Sequence, residues 1–70
     1  GDGGVAFNAS NEEAIRAFIA GKISFLSIFD VVEDTLSHWS AEPVVSYDSV
    51  LSSDCKARAL ADAFISRKCL

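Results

Sequence analysis

The side chains able to do chemistry in this 70-residue chain fall into a few small groups. Glu12 and Glu13 are adjacent carboxylates with Asn8 and Asn11 nearby. That set would serve a divalent cation, or acid–base transfer, only if further ligands converged on it from other elements. At the head of a helix the same four residues act as capping groups. Asp30, Glu33 and Asp34 read as a solvated helix face, or as an acidic surface that docks on a basic patch. His38 has the side chain of a general base, but no nucleophile or orienting acid accompanies it in sequence. It reads as a C-terminal helix cap, and Trp39 as the residue that closes one end of a bundle. Ser52, Ser53 and Asp54 combine hydroxyls with an acid but lack the G-x-S-x-G elbow of a serine nucleophile, so N-capping accounts for them. Cys55 and Cys69 are the only cysteines. With a single His and no C-x-x-C, they make no zinc site. On one helix their Cα atoms would stand about 21 Å apart, well beyond disulfide reach, so two free thiols are expected. Gly1-Asp2-Gly3-Gly4 follows no strand and lacks the third glycine of a dinucleotide cradle. The expectation is that no residue of this chain is catalytic, cofactor-binding or metal-binding.

Composition narrows the partners. The net charge of −4 argues against nucleic acid, whose binding rests on Lys and Arg neutralising phosphates. No basic amphipathic helix suits a membrane surface, and no apolar run approaches the roughly 18 residues of a spanning helix. The first residues lack the charged and apolar regions of a signal peptide. Hydrophobic residues make up 50% of the chain, high for a soluble domain, which points to apolar surface that something outside these residues covers. A chain this short forms one small domain with a marginal core, and needs a staple, a partner or very good helix packing.

These groups must be positioned by helices, because nothing alternates like a sheet over any length. A first helix is predicted within Asn8 to Ala20, started either by Asn8 or by a capping box over Ser10-Asn11-Glu12-Glu13. Ala14, Ile15, Phe18 and Ile19 form its buried stripe. Gly21 sits at the left-handed position after its end, beside Lys22. A second helix is predicted over Phe25 to His38 with Ser24 as cap, and with Phe25, Ile28, Val32, Thr35, Leu36 and Trp39 on one face. Ser40 to Val45, containing Pro43, is a loop. A short helical turn covers Ser46 to Leu51. Ser53 or Asp54 then caps a last helix from about Asp54 to Lys68. Its stripe is Ala57, Leu60, Ala61 and Phe64, widened by Ile65, and Arg58 pairs with Asp62 one turn on. The expected class is all-α: a small bundle of three main helices and a short turn over residues 7–70, after a flexible lead-in or severed linker over residues 1–6.

The order of these pieces resembles the C-terminal domain of the 1-deoxy-D-xylulose 5-phosphate reductoisomerase family. Asn8-Ala9-Ser10-Asn11-Glu12 is similar to that family's N-A-A-N-E. Ala17-Phe18-Ile19-Ala20-Gly21-Lys22-Ile23-Ser24-Phe25 follows at family spacing. Ile28 and Val31-Val32-Glu33-Asp34-Thr35-Leu36 then resemble I-x-x-V-V-E-x-T-L. Glu42-Pro43 precedes Val50-Leu51 and Asp54, like E-P before D-V-L-x-x-D, and Ala57-Arg58 matches the A-R of the last helix. Ser10 stands for the usual Ala and Ser49 for the usual Asp, both compatible with caps or turns.

The resemblance implies a cytoplasmic oxidoreductase of non-mevalonate isoprenoid biosynthesis as parent. Such an enzyme has an NADPH-binding domain, a central catalytic domain and a C-terminal helical bundle. It uses NADPH and a divalent metal, Mg or Mn, to rearrange and reduce 1-deoxy-D-xylulose 5-phosphate to 2-C-methyl-D-erythritol 4-phosphate. The family's cofactor, metal and substrate residues belong to the upstream parts, and none maps here. The chain would then be a structural module, silent alone, packed on the upstream catalytic domain of the same polypeptide. The family's bundle has four helices, one of them just before the Gly1 position. Its absence would expose apolar surface, so self-association is expected, with Ile15, Phe18, Val32, Leu36, Leu60 and Phe64 divided between core and interface. The competing reading is a free-standing helical protein–protein interaction module, motivated by the wide apolar arcs.

Overall fold

Three helices make up the structure, a computed structural model that describes residues 1–68: α1 (Gly3–Ile19), α2 (Ser27–Ser37) and α3 (Tyr47–Lys68). No strand occurs among the described residues, in keeping with the all-α expectation. Cys69 lies outside the described residues, and with it the expected separation from Cys55, which is an exposed free thiol.

The turn after α1 follows from local sequence. Gly21 adopts φ 78°, a conformation open to glycine at little cost. Its amide donates to Phe18 O at 3.0 Å and that of Lys22 to Ala17 O at 2.9 Å. This paired pattern satisfies the carbonyls that the helix end leaves over. Ser24 then prepares α2, accepting the Ser27 amide on both its hydroxyl (3.2 Å) and its carbonyl (3.1 Å). The helix proper starts two residues later than the expected Phe25.

The start of α1 and the unity of α3 correct the sequence reading. α1 begins at Gly3, five residues before Asn8, so residues 3–6 are helical rather than a lead-in. The proposed capping box is mid-helix. The Ser10 hydroxyl donates to Ala6 O at 2.7 Å and Phe7 O at 3.1 Å, within its own helix. Thr35 does the same to Val31 O at 3.0 Å. Both residues are fully buried, and this back-bonding lets a hydroxyl sit in a core with no outside partner.

α3 runs unbroken through Ser52, Ser53 and Asp54, because its cap lies earlier. The Ser49 amide donates to Ser46 Oγ at 3.1 Å, and the Ser46 amide donates back to Ser49 Oγ at 3.1 Å. This is a reciprocal capping box with Ser in the place of Glu or Gln. At 22 residues α3 is about 33 Å long, close to the 36 Å long axis of the molecule.

The core is a seam of small residues. Ala6, Ala9, Ala14 and Ala17 of α1 are buried with Ala57, Ala61 and Ile65 of α3 and with Ile28 and Val31 of α2. They form one cluster around Ala14, Val31 and Ala61 and a second around Ala9 and Ala57, the latter roofed by Trp39. The expected α1 stripe holds only at Ala14, since Ile15, Phe18 and Ile19 are exposed. In α3, Ala57, Ala61 and Ile65 face inward while Leu60 and Phe64 are half-buried at the flank. Alanine allows helix backbones to approach, and the bulkier side chains are thereby displaced to the edges of the contact.

Candidate functional site

Asp2 ties the head of α1 to the segment after α2 and to α3 at one end of the bundle, although the sequence reading places it in a flexible lead-in. It is 3% exposed. Its Oδ1 accepts the Trp39 indole N–H at 2.8 Å and the Glu42 amide at 2.9 Å, and its Oδ2 accepts the Ser53 hydroxyl at 2.6 Å. Its amide donates to Glu42 O at 2.9 Å, and its carbonyl accepts the Ala6 amide at 3.1 Å, opening α1. Its carboxylate makes no cap bond to its own helix. Long-range partners therefore set where α1 begins. Gly1 fits closely beside this clasp, where a Cβ would meet Glu42 O at 3.2 Å. Lys56 lies over the Trp39 ring at 5.2 Å. Trp39 thus closes one end of the bundle, as expected of it.

The hydrogen bonds from Ser53, the Glu42 amide and Trp39 hold the Asp2 carboxyl at about 2, below its ordinary 3.8. With the folded pKa depressed, the unfolded chain binds the extra proton between those values. The stability Asp2 supplies is complete above about pH 4 and is lost as pH falls through about 2. Urea denaturation at a series of pH values should show the gap between the native chain and Asp2→Asn to be largest near neutrality and to close across that interval.

Arg58 organises a second cluster, halfway along the α1/α3 seam. Its Nε donates to Asp54 Oδ2 at 2.8 Å, its Nη1 to Glu13 Oε1 at 3.1 Å and its Nη2 to Glu12 Oε2 at 3.1 Å. These bonds, that to Asp54 foremost, raise the guanidinium pKa further. The Arg58–Asp62 pair expected from sequence is replaced by Arg58–Asp54 one turn earlier. Asp62 lies by Glu13 instead. Partial desolvation, then the Glu13 carboxylate, push its carboxyl up. Asn8 Nδ2 donates to Glu12 Oε1 at 3.1 Å, a bond along the helix and not a cap.

The remaining groups serve as ties and caps. Asp30 meets Lys68 at 3.4 Å and Asp34 meets Arg67 at 3.8 Å, so these two carboxylates bind α2 to the end of α3. Glu33 faces the other way, into a groove between α1 and α2. The His38 amide donates to Asp34 O and Thr35 O at 3.3 Å, and its Nδ1 lies 2.9 Å from Asp34 O, a C-terminal cap. Among the described residues no group of three or more His, Cys, Asp or Glu side chains could hold a metal ion. The acidic cluster of Glu12, Glu13 and Asp54 already has the Arg58 guanidinium at its centre, so its donors do not fit a divalent cation. No described helix is long and apolar enough to cross a membrane.

The α1/α2 groove has a volume of about 680 Å³ and is lined by Phe7, Asn11, Ile28, Phe29, Val32, Glu33, Leu36 and Ser37. Phe29 packs edge-on to Phe25 (centroids 5.8 Å) and Phe25 to Phe18 (5.9 Å), which continues the apolar surface to the α1–α2 turn. This apolar surface lies beside a bundle in which Asp2, Arg58, Asp30 and Asp34 tie the helices to one another.

Known proteins agree on where such a bundle occurs. The family model described as the DXP reductoisomerase C-terminal domain matches residues 1–60. The 1-deoxy-D-xylulose 5-phosphate reductoisomerase of Treponema denticola is 45% identical over 62 residues, 87% of this chain and 16% of the relative. That of Ralstonia pickettii is 42% identical over 64 residues, 91% of this chain and 16% of the relative. That of Paenarthrobacter aurescens is 49% identical over 53 residues, 76% of this chain and 14% of the relative. The chain thus spans about 16% of the length of the first two of these relatives. No solved structure matches. With the family model covering 60 residues and the helices in the order that the motifs require, the chain belongs to the DXP reductoisomerase C-terminal domain family.

Proposed function

We propose that this chain is the C-terminal structural module of a cytoplasmic 1-deoxy-D-xylulose 5-phosphate reductoisomerase and is catalytically silent by itself. The parent would carry out the NADPH-dependent, Mg- or Mn-assisted conversion to 2-C-methyl-D-erythritol 4-phosphate through residues outside these 70. The observation that carries the reading is the family match over residues 1–60, against relatives of which the chain spans about 16%. The engagement of Asp2 and Arg58 within the bundle supports it, since both are spent on tying helices together. In this role the module packs its apolar face against other protein surface: the upstream catalytic domain in a whole enzyme, and itself when alone.

The test of silence is NADPH oxidation by the 70-residue chain with the 5-phosphate substrate and magnesium or manganese. No turnover above buffer is expected, and turnover would refute the proposal. The exposed α1/α2 face is equally what a free-standing interaction module would present. The coding sequence upstream of Gly1 separates the two. A continuous reading frame encoding a dinucleotide-binding fold supports the module, whereas a start codon at this position favours the free-standing protein.

A further inference from the structure

We propose that Asp2 is a latent modification site: when the clasp at the end of the bundle opens, Asp2 isomerises to isoaspartate through the Gly3 amide, and the closed clasp holds this reaction back. Asp2-Gly3 is the one aspartate–glycine pair in the chain; the other aspartates precede Val31, Thr35, Ser49, Cys55 and Ala63. Glycine has no side chain to hinder attack by its own amide, and it lets the backbone reach conformations that other residues avoid. In the first step the Gly3 nitrogen bonds to Asp2 Cγ, and the carboxyl hydroxyl leaves with the amide hydrogen as water. In the second step water adds to the resulting five-membered ring and splits the bond between the Gly3 nitrogen and the Asp2 main-chain carbonyl. The main chain then runs through Cβ and Cγ, one carbon longer, and the former carbonyl carbon carries the free carboxylate. Nothing is oxidised or reduced, and the mass is unchanged.

The clasp blocks each requirement of this chemistry. Ring closure needs the Asp2 carboxyl to rotate onto the Gly3 nitrogen, but Trp39 Nε1 at 2.8 Å, the Glu42 amide at 2.9 Å and the Ser53 hydroxyl at 2.6 Å hold it elsewhere. The main chain is held as well, by the Asp2 amide on Glu42 O at 2.9 Å and the Ala6 amide on Asp2 O at 3.1 Å. At 3% exposure Asp2 is screened from the water that must open the ring. The same donors, Ser53 foremost, keep the carboxyl ionised, the form that loses its oxygen least readily. These restraints lapse together when the head of α1 opens, and helix ends open well before the whole molecule unfolds. Isomerisation then bars return. The extra carbon displaces the carboxylate from the main-chain groups by about 1.5 Å, so Trp39, Glu42, Ser53 and Ala6 can no longer all be bonded at once.

The test ages the 70-residue chain at physiological temperature and pH, in buffer and in denaturing urea. Isoaspartate is counted by enzymatic methyl transfer and located by fragmentation mass spectrometry. In urea it should accumulate at Asp2, and in buffer at least about ten-fold more slowly. Ser53→Ala removes one donor to the carboxylate, so in buffer it should isomerise about ten-fold faster than the native chain, and in urea at the same rate. If circular dichroism shows that Ser53→Ala does not fold, Trp39→Phe, which keeps a ring and loses the indole N–H, decides in its place. A Cβ on Gly3 would meet nothing within 4 Å. Gly3→Ala therefore keeps the fold, crowds the attacking amide and should slow the reaction in urea several-fold. Equal rates in buffer and urea, or a folded donor variant no faster than the native chain, would overturn the protection by the clasp. No isoaspartate at Asp2 in urea, or none of the slowing by Gly3→Ala, would overturn the site itself.

Discussion

Replacing Ala61 by Leu should lower the stability of the bundle by about 3 kcal/mol, a fall in Tm of roughly 15 °C. Ala61 is fully buried between α3 and the other two helices, in the cluster with Ala14, Ala17, Val31 and Ile65. Three added carbons have no space in that seam, so they must drive α3 away from α1 or take a strained rotamer. For a domain this small, 3 kcal/mol is a large share of a total on the order of 5 kcal/mol. Shortening a much larger side chain outside the seam should have the opposite lesson: Ile19→Ala, at an exposed position, should change Tm by less than about 2 °C. Thermal unfolding of the two variants, followed by circular dichroism at one fixed protein concentration, makes the comparison.

Removing the guanidinium at position 58 should cost about 2 kcal/mol at neutral pH. Arg58 bonds three carboxylates at once, from Glu12 and Glu13 on α1 and Asp54 on α3. Glu13 is nearly buried, and in Arg58→Ala it keeps only the longer contact to Arg16 at 3.8 Å, with Asp62 close by. Losing one member of a partly buried pair leaves a charge that water reaches poorly, which costs more than a surface pair is worth. The figure stands below the usual cost for a deeply buried pair, because the Arg58 side chain retains 27% exposure. The variant also has a diagnostic pH response. Acidification that protonates Asp62, whose carboxyl desolvation and the neighbouring Glu13 push up, should narrow its deficit relative to the native chain. Arg58→Lys keeps the charge but loses the planar fork, so its cost should be intermediate. Urea denaturation at neutral and mildly acidic pH measures all three.

These two sites also mark the boundary of what the sequence discloses. Gly21 and Lys22 were legible because a left-handed glycine ends a helix through bonds made within five residues. The same holds for His38 at the end of α2 and for the helical turn that opens at Ser46. The full reach of α3 was not legible, because Ser52, Ser53 and Asp54 have cap chemistry whether or not a helix passes through them. Ser53 spends its hydroxyl on Asp2, 51 residues away. The beginning of α1 depends on the same contact, so no window around Gly1 to Gly4 contains the signal. Burial was misjudged for a different reason. Hydrophobic bulk marked Ile15, Phe18 and Ile19 as core, whereas close helix contact selects the small residues at Ala6, Ala9, Ala14 and Ala17. The periodicity of the alanines was present in the sequence and carried the better signal. Glu12 and Glu13 read as caps of their own helix terminus, whereas a guanidinium from α3 engages them.

The bundle is thus a frame in which conspicuous polar groups join helices, and its contribution to a reductoisomerase is proposed to be mechanical. The most direct test grafts this chain onto the Treponema denticola enzyme in place of the corresponding C-terminal segment, then introduces Arg58→Ala into the graft. Steady-state turnover is measured below the unfolding range, and Tm is measured separately. Arg58→Ala is expected to lower Tm by roughly 5 °C or more while leaving kcat and KM within about two-fold of the unsubstituted graft. A kcat that collapses while Tm holds would place chemistry in this chain and contradict the account.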